Sequence, residues 1–283
     1  MTEVNLRGSP AKFSIPKITS NVWKIWRRNA DVFTKTLSVN FLPSMLEPII
    51  YLIAFGFGLG GFIPEINGLP YINFIAPALV AISLLNGVFF ECTYSTFVRM
   101  YYQKTFDAQV ATPISIEEVA AGEILWGATR GTINSTIVLI VVGISSLFIN
   151  QPIFTTYTFI LIPLIMFFGG LMIASIALCF TAIAPYIDFF NYPFFLFITP
   201  MLFLSGTFFP ISTLPQPAQG IALVTLPLTH IVNLTRGAIT GATETIFGLT
   251  TQTLIPLAII WIIIIAIIFF IISINLMKKR LIR

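Results

Sequence analysis

The run LIPLAIIWIIIIAIIFFIISINL, Leu254 to Leu276, carries no charged side chain. A helix of this length crosses the roughly 30 Å hydrocarbon core of a bilayer. There every backbone polar group must be satisfied internally. Lys278, Lys279, Arg280 and Arg283 follow at once and mark a membrane face. Composition makes the same demand of the whole chain. It is 57% hydrophobic and only 9% charged over 283 residues, with mean hydropathy +0.94. A soluble domain carries about 25% charged residues, so lipid must be the main solvent of this surface.

Working outward from that run, five further apolar stretches stand out: Phe41 to Phe62, Tyr71 to Phe97, Gly127 to Ile149, Tyr157 to Ile183 and Tyr192 to Phe209. The fold expected is an all-α polytopic membrane protein with six transmembrane helices. An N-terminal amphipathic interfacial helix precedes them, and short outer-leaflet helices separate spans five and six. Residues 1–37 are expected to form the cytoplasmic tail and interfacial helix, and residues 38–283 the six-span transmembrane domain. The first 40 residues are too polar for a cleavable signal peptide, so the N-terminus is expected to stay cytoplasmic.

The basic residues fix an orientation. Arg7, Lys12, Lys17, Lys24, Arg27, Arg28 and Lys35 precede the first span, Arg99 and Lys104 follow the second, and the C-terminal bases follow the sixth. All fall on one side if six spans carry both termini into the cytoplasm, leaving only Arg236 opposite. The same excess accounts for the pI near 9.1 without nucleic acid, because juxtamembrane bases are attracted to anionic lipid.

Before the first span, Trp23, Trp26, Ala30, Phe33 and Leu37 recur at three- and four-residue steps, with Lys24, Arg27, Arg28, Asp31 and Lys35 opposite. Ser20 or Asn21 can cap this helix. It reads as an interfacial anchor, either alone or also touching a cytoplasmic partner. In the loop from Arg99 to Glu123, Thr112-Pro113 stops one helix, and Ser115-Ile-Glu-Glu118 is a capping box that starts another. The segment Pro210 to Thr253 is punctuated by proline and glycine, and reads as short helices in the outer leaflet or as an extracytoplasmic cap.

No catalytic constellation is visible. His230 has no nearby carboxylate in sequence and reads as an interfacial polar residue. Cys92 and Cys179 read as small buried hydrophobes. The sequence holds no G-x-x-x-x-G-K-[ST] phosphate loop, so ATP hydrolysis, if used, belongs to another subunit. Glu47, Glu91, Glu123 and Arg130 are costly within a membrane. They cluster near one leaflet, which favours a structural charge network over a stepwise proton relay. Gly56, Gly58, Gly60 and Gly61, and the face Gly170, Ala174 and Ala177, allow close helix approach, within the chain or between copies.

Several strings together resemble the permeases of type 2 ABC exporters, and within them the nodulation-factor (lipo-oligosaccharide) export permeases. They are LEPIIYLIAFGFGLG (46–60), ECTYSTFVRM (91–100), AAGEILWGATRG (120–131) and ITPMLFLSGTFFPISTLP (198–215). The resemblance implies a homodimer in the bacterial inner membrane, served by two copies of a P-loop ATPase subunit that holds the ATP and Mg. It implies no cofactor in this chain. Trp23, Trp26, Arg27, Arg28, Tyr102, Phe106, Gln109 and Ile114 are the implied ATPase-coupling residues. The implied translocation path runs along spans one and five, with Tyr51, Phe55, Phe195 and Phe203 as candidates. The cargo is an amphipathic glycan or lipid, and membrane lipid is the remaining partner. A drug or lipid exporter is the nearest alternative, and an ion-coupled secondary transporter the next.

Reporter fusions at Arg283 and near Asn67 are expected to report opposite compartments. A periplasmic signal from the Arg283 fusion overturns the six-span reading.

Overall fold

A computed structural model describes residues 15–282 except 37–45, 47–48, 64, 67, 150–151, 242, 244–245 and 247. Helix α1 (Val22–Lys35) precedes α2 (Ile49–Gly61), an apolar helix that loosens into wide and then tight turns at Leu52–Gly58 and Leu59–Gly61. The two-residue strands β1 (Glu65–Ile66) and β2 (Leu69–Pro70) pair around Gly68, whose φ of +76° needs glycine. Then follow α3 (Tyr71–Tyr102), α4 (Thr105–Val110), α5 (Ile116–Ile149), α6 (Tyr157–Ile183) and α7 (Ile187–Leu204). The short α8 (Gln216–Thr225) and α9 (Pro227–Thr240) lead to α10 (Thr251–Leu281).

Among the described residues, α3, α5, α6, α7 and α10 are long and apolar enough to cross a membrane. The sixth expected crossing is described only from Ile49 onward, as α2 packed on α3. Glu47 lies outside the described residues, as does Leu37. The helix α3 is the axis of the fold. Its apolar window is 83% buried, against 22% in α10, which packs on α6 and leaves its isoleucines outward.

Three boundaries differ from the expected ones. The helix α5 starts at Ile116, not Gly127, because the capping box leads straight into it. Ser115 N–H donates to Glu118 Oε2 at 2.7 Å and Glu118 N–H to Ser115 Oγ at 3.2 Å. Its first turns are charged yet folded against protein, so hydropathy alone misses them. The loop therefore holds one short helix, α4, and not two. The helix α3 runs on to Tyr102, and α7 occupies Ile187–Leu204 and not Tyr192–Phe209. It ends at Ser205-Gly206, where Gly206 has φ +74°.

Between α7 and α10 the chain makes a bent pair. The axes of α8 and α9 meet at 91° across Leu226. Pro217 and Pro227 stand in the first turns, where a missing N–H costs nothing. Every residue from Pro227 to Ile239 is buried, as irregular structure beside lipid requires. His230 is therefore a core residue and not an interfacial one: its Nε2 sits 2.8 Å from the Leu223 carbonyl and its ring stacks on Trp261 at 4.3 Å. Arg236 is likewise no free flanking base. It is 4% exposed, donates to the carbonyls of Gly206 (2.8 Å) and Phe74 (3.3 Å), and lies 4.0 Å over the Phe74 ring. It thereby fixes α9 to the C-terminal end of α7, where a cation is favoured.

Small residues bring the crossing helices together inside the chain. A Cβ on Gly170 would lie 3.1 Å from the Ala128 Cα and 3.3 Å from its carbonyl. Backbone cannot yield as a flexible side chain does. Gly170→Val is expected to lower stability by about 1–3 kcal/mol, read as a lower melting temperature in detergent and a lower membrane yield. Gly61→Ala, with nothing within 4 Å of the added carbon, is expected to leave both unchanged.

Candidate functional site

One end of the bundle gathers the charged residues. The buried carboxylate of Glu123 on α5 is its centre, with none of its side chain exposed. Arg99 Nη2 donates to Glu123 Oε2 at 2.5 Å and Arg99 Nη1 to Glu91 Oε1 at 2.8 Å. Asn29 on α1 donates to Glu123 Oε1 at 3.0 Å, Thr96 Oγ1 to Oε2 at 3.2 Å, and Trp126 Nε1 to Glu91 Oε1 at 2.9 Å. One network thus ties α1, α3 and α5.

Arg99, placed by sequence in a loop, supplies the cation expected from Arg130. The reason lies in α3. A regular helix turns 3.6 residues per turn, which sets residues eight apart about 80° from each other. The wide turn Glu91–Ser95 absorbs one extra residue and returns Arg99 to the side of Glu91. Arg130 instead lays its guanidinium 4.1 Å over the Phe33 ring. Sequence spacing carries no signal for the wide turn.

The helix α1 docks on α5, rotated from the expected stripe. Ile25 (2% exposed) and Asn29 (4%) are its buried positions, while Trp23 is 56% exposed. Trp23 stacks on Trp26 at 4.1 Å, and Trp26 Nε1 donates to Thr129 Oγ1 at 2.9 Å. Neither Ser20 nor Asn21 caps the helix through its side chain. The Asn21 amide and the Thr19 hydroxyl both donate to Glu118 instead. Lys278 Nζ, at the end of α10, pairs with Glu117 at 2.6 Å. Burial pulls the pKa of Arg28 below its ordinary value, Glu123 opposes this, and the Arg99 charge adds to it.

Of the eight coupling residues named from the sequence, Arg28, Gln109 and Ile114 meet at one groove of about 410 Å³, and Trp23, Trp26, Arg27, Tyr102 and Phe106 are not among its walls. Lys24, Ile25 and Arg28 form one wall, and Ala108, Gln109 and Ile114 the other. Both polar atoms of the Gln109 side chain are buried without a hydrogen-bond partner. Tyr102 (60% exposed) and Tyr101 (51%) stand beside α4, and Arg27 is exposed. Phe106 is not a surface anchor. It is 0% exposed and holds α4 against the core.

Of the four path candidates, Tyr51, Phe55 and Phe203 join Phe208 in a ladder between α2 and the end of α7, with centroids 5.8 Å (Tyr51–Phe55), 5.1 Å (Phe55–Phe208) and 5.6 Å (Phe208–Phe203) apart. Phe195 lies outside it, 65% exposed and against Phe194. Sequence reasoning missed Phe208. Cys92 and Cys179 are unpaired, and no cluster fit for a metal occurs among the described residues.

Residues 20–240 match the ABC-2 type transporter family. The chain belongs to that family. It is 32% identical over 273 residues to Nodulation protein J of Rhizobium meliloti (strain 1021), covering 95% of this chain and 98% of that one. It is 33% identical over 225 residues to Nodulation protein J of Sinorhizobium fredii (strain NBRC 101917 / NGR234), covering 78% and 83%. The inner membrane transport permease YadH of Escherichia coli (strain K12) is 23% identical over 213 residues, covering 74% and 78%. An ABC-2 permease with several apolar crossings is a multi-pass membrane subunit for transport, as the fold requires.

Removing one member of a buried ion pair strands the other, at a cost of roughly 3–5 kcal/mol. Arg99→Met, which strands both Glu91 and Glu123, is therefore expected to lower the stability of this ABC-2 permease strongly in detergent melts. Adding Glu123→Leu to Arg99→Met is expected to recover part of the loss, because only Glu91, still bonded by Trp126, then lacks its cation. Equal losses in the single and double variants count against the network as described.

Proposed function

We propose that this chain is the membrane-spanning half of an ATP-driven exporter. It works as a homodimer with two copies of a separate P-loop ATPase subunit. The cargo is a lipid-linked or amphipathic glycan of the lipo-oligosaccharide or polysaccharide class. ATP and Mg reside on the partner, and this chain holds no cofactor. Both termini face the cytoplasm of a bacterial inner membrane, with residues 1–37 as tail and interfacial helix and 38–283 as the permease domain.

The groove between α1 and α4 carries this reading. It lies at the end of the bundle where the charged residues and the C-terminal bases gather. Its Gln109 amide has unmet donors and an unmet acceptor, which a docked protein would satisfy. Tyr101 and Tyr102 add the aromatic anchors typical of interface centres. The Glu123 network connects the groove wall on α1 to the crossing helices, so a push at the groove reaches α3 and α5. The aromatic ladder from Tyr51 to Phe203 offers ring faces to sugars or acyl chains. The resemblance of the strings 46–60, 91–100, 120–131 and 198–215 to lipo-oligosaccharide export permeases favours the glycan class. A drug or lipid cargo would use the same ladder.

The purified chain alone is expected to hydrolyse no ATP, and its complex with the ATPase to do so. Tyr102→Ala with Gln109→Ala is expected to weaken ATPase pull-down about 10-fold or more, since burial of one large side chain is worth about 1.5–3 kcal/mol. Melting temperature should hold for this pair and fall for Phe106→Ala. Wild-type association in the double variant removes the groove from the coupling path.

A further inference from the structure

A second cavity, of about 450 Å³, opens on the other flank of α1 and has a different chemistry. Its walls include Arg28, Phe33, Arg99, Trp126 and Arg130, with Val32 and Val98 as an apolar lip. We propose that it is a binding site for the phosphate headgroup of an anionic membrane lipid, separate from the export path and sharing only Arg28 with the groove at α4.

The charge balance comes first. Three guanidinium groups and one carboxylate, Glu91, line the cavity, and both Glu91 and the buried Glu123 are engaged by Arg99. Among the described residues, no ion pair joins a carboxylate to Arg28 or Arg130. Arg28 donates one bond, from Nη1 to Asn29 Oδ1 at 3.1 Å, and Arg130 rests on the Phe33 ring. Each guanidinium has five donors in a planar fork. Two such forks with unused donors line one cavity, and guanidinium forks suit phosphate oxygens.

The second argument is amphipathic shape. Phe33 and Trp126 pack at 5.7 Å and Trp26 and Trp126 at 6.3 Å, so the cationic wall is backed by rings. Val32, 54% exposed, prolongs the rim along α1. A free phosphate would use the guanidinium wall and leave the apolar lip bare. A phospholipid uses both, with phosphate at the arginines and glycerol and first methylenes along Val32 and Phe33. Tryptophan rings are at home at this depth, between headgroup and chain. Anionic lipid there bridges α1 to α3 and α5 from outside, beside the bridge Glu123 makes from within.

The full chain, purified in neutral detergent, is tested by native mass spectrometry against phosphatidylglycerol, phosphatidylcholine and inorganic phosphate. Phosphatidylglycerol should be retained about 10-fold better than phosphatidylcholine, and equimolar inorganic phosphate should not displace it. Arg130→Gln should cut that retention about 10-fold, the effect of losing one charge-assisted bond. Arg130→Lys should keep part of it. Lys279→Gln, an exposed base elsewhere, should change nothing. If Arg130→Gln fails to fold, Arg28→Gln on half-exposed α1 gives the reading. Equal retention of the two lipids overturns the site, as does an equal loss in Lys279→Gln. Displacement by inorganic phosphate alone overturns the lipid assignment.

Discussion

A carboxylate sealed away from water is tolerable only if its charge is met and its lone pairs are filled. Glu123 meets both conditions through Arg99, Asn29 and Thr96. The rest of this end of the molecule follows from that need. Arg99 must reach inward, so α3 widens its turn. Asn29 must reach inward, so α1 lies flat on α5 with a polar residue in its buried face. Glu91 takes the other arm of the Arg99 guanidinium and accepts from Trp126. The helix α1 is thus bolted to the crossing helices by polar bonds, and its apolar contacts at Ile25 come in addition.

The far end uses a different device for the same purpose. There α9 is buried on all sides, and Arg236 fastens it through carbonyl oxygens and an aromatic face in place of acids. Thr156 and Thr158 donate to the Ala238 carbonyl at 2.7 and 2.8 Å and close the C-terminal end of α9. Gly241, with φ +74°, turns the chain away. Both ends of α3 are therefore clamped by cations, one paired with carboxylates and one with backbone.

Much of this was legible in the sequence. Apolar run length placed the crossings, and Ser115 to Glu118 announced the start of α5. Proline spacing marked the bent pair α8–α9. What stayed hidden depends on geometry that period counting does not contain. The wide turn at Glu91–Ser95 changes which residues share a face, so Arg130 was chosen where Arg99 serves. The stripe of α1 was read from tryptophan, although tryptophan at an interface prefers the boundary to the core. Phe106 read as an anchor for a partner because a loop was assumed exposed. In the fold α4 turns it inward. The groove at Gln109 was visible only as two separate segments, since nothing local says that residues 24–28 and 105–114 meet.

The contrast between α3 and α10 has a consequence for descent. The helix α3 touches protein on nearly every side, so each of its residues answers to a particular neighbour. The helix α10 packs on α6 and turns half of its isoleucines outward, and one branched aliphatic serves there as well as another. On that outward face only oiliness and length are constrained, so α10 can accept exchanges there that α3 cannot.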